Sequence, residues 1–270
     1  MGLGWVAVAW PGLAQAQFSD TFDTINPAWM TDRYEPAGFA VASFQGDNRL
    51  QITIDQTGSA ANRPSPAYSA ALYNTQGEER PTGIAGEWTL SAEVYVSSAY
   101  ATTSGQLIKT DLWGHAGTSL NNGDYAIFGF TNDSPTDPLN PAALDRAFRF
   151  QVFTGTTNDP TSWANAGVPS GFTFDAWHSL KITSTGSTAD YLLDGVEIYR
   201  DPIFAGANLQ GVYLQAYNFG QVDGNGLNSY SVYWDNALAV VPEPGAFACV
   251  TGIGVLLIGW TQSRTWRRAP

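Results

Sequence analysis

"ADYLLDGVEIYR", residues 189–200, decides the fold class. On either side of Asp194-Gly195 the residues alternate in character, which gives each arm the period of a strand with one face buried. Asp-Gly between two alternating runs is a strong hairpin signal, because a two-residue type I′ turn needs positive φ at both central positions. The same pattern recurs along the chain. "FAVASF" (39–44) and "NRLQITI" (48–54) are joined by "QGD". In "EWTLSAEVYV" (87–96), Trp88, Leu90, Ala92, Val94 and Val96 share one face, and Glu87, Thr89, Ser91, Glu93 and Tyr95 the other. "FSDTF" (18–22), "YSAALYN" (68–74), "GQLIKTDLW" (105–113), "DYAIFGF" (124–130), "AFRFQVF" (147–153), "AWHSLKITS" (176–184), "VYLQAYNF" (212–219) and "SYSVYWDNALAV" (229–240) read as further strands. Helical periodicity is limited to one turn in "NPAALDRAF" (140–148), and no repeat of fixed period stands out. About a dozen short strands in one piece predict an all-β, two-sheet antiparallel sandwich.

Composition agrees. Charged residues make up only 13% of the chain and aromatics another 13%, with Gly 28 and Pro 15. Disordered chains are aromatic-poor, so this is a folded, turn-rich protein. Asp and Glu outnumber Lys and Arg by 24 to 12, a net charge of −12. Phosphate contacts need Lys/Arg clusters, so nucleic acid is not an expected partner. The single cysteine, Cys249, lies in an apolar run near the end, which leaves the body without disulfides, thiolate zinc sites or a cysteine nucleophile.

The two ends read differently from the body. The first thirteen residues are apolar, and Ala14-Gln15-Ala16 has the A-x-A form of a signal-peptide cleavage site. No Lys or Arg precedes Arg33, so the basic start of a signal is missing and the start is read as truncated. At the other end Pro242-Glu243-Pro244 leads into an uncharged run over 246–260, followed by Arg264, Arg267 and Arg268. A membrane span needs roughly 20 apolar residues, which this run approaches if extended to about 245–261. The expected organisation is a signal peptide over 1–16, a sandwich over 17–241 and a tail over 242–270. The order Pro-Glu-Pro, apolar span, arginine cluster resembles the PEP-CTERM sorting signal of Gram-negative bacteria. That resemblance implies an exosortase, a membrane transpeptidase, as a partner, with a transient inner-membrane anchor and delivery to the cell surface or extracellular matrix.

In the body, "FSDTFD", "GDNRLQITI", "AWHSLKIT", "YLLDGVEIY" and "SVYWDNALAV" resemble in order the concanavalin A-like jelly roll, in its LamG-like form. The resemblance implies a structural Ca²⁺ where first and last strands meet. The candidate ligands are Asp20 or Asp23, the backbone at Gly46 and Asp47, and Asp235, which is matched by the alternative that Asp235-Asn236 only punctuates an edge strand. "DGNGLN" (223–228) lacks EF-hand spacing and reads as a turn.

A retaining glycoside hydrolase needs two carboxyls about 5–5.5 Å apart. The family-16 glucanases that this fold resembles place them on one strand as Glu-x-Asp-x-Glu or Glu-x-Asp-x-x-Glu, and no such cluster occurs here. Glu87 and Glu93 share a face but lie roughly 20 Å apart along a strand. Glu78-Glu79 reads as a turn. His115 reads as a loop residue and His178 as a surface or edge residue, neither in a triad pattern. The sequence therefore predicts a non-catalytic body that binds or organises extracellular polysaccharide. The alternatives are a divergent glycoside hydrolase or polysaccharide lyase, and a purely structural matrix protein. Alternation puts Lys109, Asp111 and Trp113, then Arg149 and Gln151, then Tyr213, Gln215 and Tyr217 on outward faces; these are the candidate carbohydrate-binding residues.

Overall fold

Fifteen strands follow one another in chain order: β1 (Ala16–Asp20), β2 (Met30–Thr31), β3 (Gly38–Phe44), β4 (Asp47–Ile54), β5 (Thr75–Ile84), β6 (Trp88–Val96), β7 (Lys109–Ser119), β8 (Asn122–Thr131), β9 (Arg149–Phe153), β10 (Trp163–Gly167), β11 (Ala176–Ser184), β12 (Ala189–Leu193), β13 (Val196–Asp201), β14 (Leu209–Tyr217) and β15 (Tyr230–Val240). They come from a computed structural model. It describes residues 16–55, 75–101, 108–119, 122–132, 147–153, 163–202, 204, 206–217 and 229–241. "YSAALYN", nearly all of "NPAALDRAF", "DGNGLN", Ala14 and the tail with Pro242, Glu243, Pro244, Arg264, Arg267 and Arg268 lie outside the described residues.

The strands form two antiparallel sheets. The first has the order β13-β12-β11-β6-β15-β4-β3, with β1 also paired to β15. The second has the order β10-β9-β8-β7-β14-β5-β2. The Asp194-Gly195 turn between β12 and β13 has φ of 51° and 81°, the positive pair that the hairpin signal requires. Gln45-Gly46 makes the same kind of two-residue turn between β3 and β4, with Phe44 opposite Asp47. Among the described residues the only helical element is one 3₁₀ turn, Ser98–Tyr100.

One apolar layer fills the space between the sheets. Trp88, Leu90, Ala92, Val94 and Val96 all face it, as alternation predicts. Phe128, Phe130, Phe150, Leu112, Val212 and Leu214 face it from the other side. Polar pegs cross the layer and fix how the sheets are stacked. Trp234 Nε1 donates to Thr110 Oγ1 at 3.2 Å, and Tyr191 Oη donates to Phe153 O at 3.0 Å. A buried indole or phenol that finds a partner across the core ties position to stability.

Three local readings change. Glu78 and Glu79 lie in a strand, not a turn: β5 pairs with β14, so they do point to opposite faces. Its composition hid it, because "TQGEERPTGI" has no apolar alternation and carries a proline, which suits a strand flanked on its far side only by two-residue β2. His115 lies within β7, fully buried. His178 is buried too: its Nδ1 lies 2.8 Å from Asp194 Oδ2, its Nε2 2.8 Å from Thr173 O, and its ring stacks on Phe172.

Candidate functional site

β7 lies between β8 and β14 in the middle of its sheet. Thr110, Leu112 and Ala116 point into the core, so Lys109, Asp111, Trp113 and His115 point outward. Antiparallel partners point the same way, so register extends this face across the sheet. Asp111 stands between Gln215 and Gly129, and Gly129 stands opposite Gln151. Trp113 stands between Tyr213 and Ile127, and Tyr213 opposite Glu79. Lys109 is opposite Thr131, which is opposite Arg149. Tyr217 follows Gln215 on the same side of β14. All eight candidate carbohydrate-binding residues thus share one outer face.

That face carries its own apolar cluster, separate from the core: Trp113, Ile127, Phe153 and Tyr213, with Tyr125 and Trp163 packed on it. Charged groups lie over these rings. The Lys109 ammonium sits 3.6 Å from the centre of Trp163 and 4.1 Å from that of Tyr217, and the Arg33 guanidinium 4.9 Å from that of Trp113. The face is not an open aromatic platform. Trp113 and Tyr213 are each only 2% exposed, because neighbouring rings and Arg33 close over them, so a ligand reaches this floor only when its cover shifts. Asp32 and Glu79, by contrast, lie half-buried at its rim.

The floor is polar and poorly satisfied. Both carboxylate oxygens of Asp111, both amide atoms of Gln151, both ring nitrogens of His115, Trp113 Nε1 and Gln215 Oε1 are buried without a hydrogen bond. Each such group costs about 1–3 kcal/mol, and folding alone gives no reason to gather them. Two glycines make room for the polar pair. A Cβ on Gly129 would fall 2.2 Å from Asp111 Oδ1, and one on Gly77 would fall 2.8 Å from Gln215 Oε1. Burial pushes the Asp111 carboxyl up to about 6. The Lys109 ammonium, 3.9 Å away, pulls the other way, as do Gln151 and Trp113, which face the carboxylate but lie outside hydrogen-bond geometry. Burial, then the nearby Arg33, lowers the His115 pKa and keeps its ring neutral at neutral pH.

The rim adds two carboxyls that sequence spacing could not connect. Asp32 follows β2 and accepts a 3.0 Å hydrogen bond from Gln215 Nε2, beside an ion pair with Arg33. Burial pushes its carboxyl up to about 6, with the Arg33 charge opposing and the Glu79 charge adding. Glu79 in turn holds the Tyr213 hydroxyl, which, after burial, is what raises that phenol above its ordinary range. Asp32 and Glu79 come from separate segments and lie within reach of each other's charge, while Gln215, opposite Asp111, ties Asp32 to the floor.

The candidate calcium ligands hold protein partners. Asp20 accepts from Phe22 N at 3.0 Å, Trp29 Nε1 at 2.9 Å and Arg80 at 2.9 Å. Asp235 pairs with Arg49, which also reaches Asp47 at 3.0 Å, while Asp23 accepts from Thr21 Oγ1 at 2.8 Å. Gly46 sits in the β3–β4 turn. Among the described residues no group of three or more His, Cys, Asp or Glu side chains is placed to hold a metal. Asp235-Asn236 marks a bulge within a central strand rather than an edge. Ala16, the last residue of the expected signal, opens β1 opposite Val240.

No family model matches the chain, and no curated protein does. Solved structures do match in fold. An endo-β-galactosidase from Clostridium perfringens that releases GlcNAcα1-4Gal aligns with a TM-score of 0.53 at 13% identity, over 86% of this chain and 63% of its own. A glycoside hydrolase family 16 endo-glucanase from Bacteroides ovatus aligns with a TM-score of 0.51 at 12% identity, over 82% of this chain and 99% of its own. A second Bacteroides ovatus family 16 protein, from a mixed-linkage glucan locus, aligns with a TM-score of 0.50 at 11% identity, over 83% and 98%. At such identities the likeness shows the fold, the concanavalin A-like jelly roll. It also overturns the expectation of a non-catalytic protein, which rested on the absence of a one-strand carboxylate motif. The matching sandwiches are glycoside hydrolases, and here carboxyls converge across strands rather than along one.

Proposed function

We propose that the body is a divergent glycoside hydrolase that cleaves a polysaccharide laid along the outer face of the β7 sheet. The observation that carries this reading is the gathering of eight unpartnered, buried polar side-chain atoms on that one face, above paired glycines and beside an aromatic shelf. Sugar hydroxyls both donate and accept hydrogen bonds, and pyranose faces pack on rings, so the chemistry of the floor suits a glycan. Asp32 and Glu79 at the rim supply the carboxyl pair that glycoside hydrolysis uses. With its carboxyl pushed up to about 6, Asp32 holds a proton in mildly acidic solution and serves as the general acid; Glu79 is its carboxylate partner. Asp111, Gln151, Gln215 and His115 receive the sugar once the cover shifts.

Release of new reducing ends from a panel of neutral and acidic polysaccharides tests this. Activity is expected to fall as pH rises through about 6, where Asp32 loses its proton. Asp32→Asn and Glu79→Gln are each expected to lower the rate at least a hundredfold in a folded protein. A panel left intact, or variants as active as the parent, would end the proposal.

We read the tail as a sorting label, on the order Pro242-Glu243-Pro244, apolar span, Arg264, Arg267 and Arg268. An exosortase would cut it and leave a surface or matrix protein. The intact mass from the native host checks this: a species spanning about 17–241 outside the inner membrane is expected, and a full-length species retained there refutes it.

A further inference from the structure

Residues 30–35 follow the outer edge of β5 and close over part of this face. Both ends of the segment are fixed. Trp29, just before it, is buried among Phe18, Phe22 and Phe39 and donates from Nε1 to Asp20; Pro36, just after it, is buried too. Between them, among the described residues, no side chain joins either apolar cluster. Met30, Thr31 and Glu35 are exposed, and Asp32, Arg33 and Tyr34 half-buried. Polar contacts hold the segment instead. β2 pairs with β5 over two residues, Met30 opposite Glu79 and Thr31 opposite Glu78. Asp32 N then donates to Gly77 O at 3.2 Å, and Gly77 N to Tyr34 O at 3.4 Å, long for such a bond. Gln215 Nε2 reaches Asp32 Oδ2 at 3.0 Å, and the Arg33 guanidinium lies over Trp113. Beneath it Trp113 Nε1 and Gln215 Oε1 are buried without a hydrogen bond. A segment pinned at its ends, with no apolar anchor between them and a short ladder along one side, opens at lower cost than the sheet it rests on.

We propose that residues 30–35 form a strap that peels from the edge of β5 to admit a glycan, latched by Arg33 on Trp113 and by Gln215 on Asp32. The inference rests on the reading of the face as a glycan-cleaving site and names the part of its cover that moves. Asp32 travels with the strap, so the open floor lacks its acid and regains it on closure. Entry and chemistry then belong to two different states, and a bound sugar is cut only under a closed strap.

Amide hydrogen exchange, read residue by residue, tests the motion without a ligand. The Asp32 and Gly77 amides are expected to exchange roughly a hundredfold faster than those of Leu112 and Leu214 in the middle of the sheet. Arg33→Ala is expected to speed the first pair about threefold, as loss of one cation–π contact would, and to leave the second pair alone. A staple supplies the converse. Thr31 and Glu78 stand opposite each other on antiparallel strands, so their Cα atoms lie about 4.5–5.5 Å apart, within disulfide range. Thr31→Cys with Glu78→Cys, in a chain that also carries Cys249→Ser, is expected to slow both strap amides roughly tenfold when oxidised and to match the parent when reduced. On any polysaccharide that the parent cleaves, the oxidised form is expected to lose most of the rate and dithiothreitol to restore it. Strap amides no faster than those of Leu112 and Leu214, an Arg33→Ala variant or a stapled protein that exchanges like the parent, or full cleavage by the oxidised form would each overturn the proposal. A panel left uncut, with exchange as expected, sinks the hydrolase reading and leaves the moving strap; cleavage under a rigid strap does the reverse.

Discussion

Replacing Asp111 with Asn separates a group placed for a ligand from one placed for the fold. The carboxylate is fully buried, accepts no hydrogen bond, and its closest cation, Lys109, stands at 3.9 Å, beyond hydrogen-bond reach. Burial raises its pKa from 3.8 to about 6. A raised carboxyl pKa means that the folded state binds the proton more tightly than the unfolded chain does. Stability is therefore fully present below about 4 and is lost as pH rises to about 6. At about 1.4 kcal/mol per unit, the charged form weakens the fold above pH 6 by at most about 3 kcal/mol. Asn keeps the shape and removes the charge, so at pH 8 the variant should gain about 1–3 kcal/mol, or roughly 3–10 °C in Tm for a domain of this size. Melts from pH 3.5 to 8 should show that gain shrink to nothing below pH 4. Glycan binding should weaken in the same variant, the trade expected of a site that strains the fold. A variant that melts lower, by the equivalent of about 3–5 kcal/mol, would refute the reasoning and make Asp111 half of a structural ion pair with Lys109.

Two further substitutions test the frame around the site. Gly129→Ala would put a Cβ 2.0 Å from Thr110 O, a backbone atom that cannot step aside, and should cost about 1–3 kcal/mol or more in urea unfolding; an unchanged midpoint contradicts the close approach. Asp20→Ala strands the Trp29 indole, the Phe22 amide and the Arg80 guanidinium, and should lower stability by about 3 kcal/mol with no dependence on added Ca²⁺; recovery by Ca²⁺ in the parent alone would instead mark Asp20 as a metal ligand.

The sequence made the fold legible wherever alternation was clean. The β12–β13 hairpin and the buried face of β6 stand where period-2 spacing put them. It concealed β5, whose residues are polar on both faces, and β10, whose "WANAG" carries one large side chain. The shared outer face of Lys109, Asp111, Trp113, Arg149, Gln151, Tyr213, Gln215 and Tyr217 was readable from alternation alone. That Asp32 and Glu79 border it was not, because register between strands far apart in sequence leaves no local trace. The burial of His115 is hidden for a related reason: small neighbours, Gly114 and Ala116, make its strand look like a loop.

Among the described residues β15 is the last strand in sequence, yet it sits in the interior of its sheet, held by β6 on one side and by β4 and then β1 on the other. A ribosome delivers it after every partner is already made. Until it arrives, β4 and β6 have a slot between them and open ladder edges, the kind that other chains can fill. The nascent sandwich therefore cannot close vectorially, and the unfinished chain must be kept apart from its neighbours until this strand arrives. The same closure seats Ala16 beside Val240. A circular permutant joining these two by a short linker and opened at the Asp194-Gly195 turn would move β15 ahead of all three of its partners and should shorten that exposed interval.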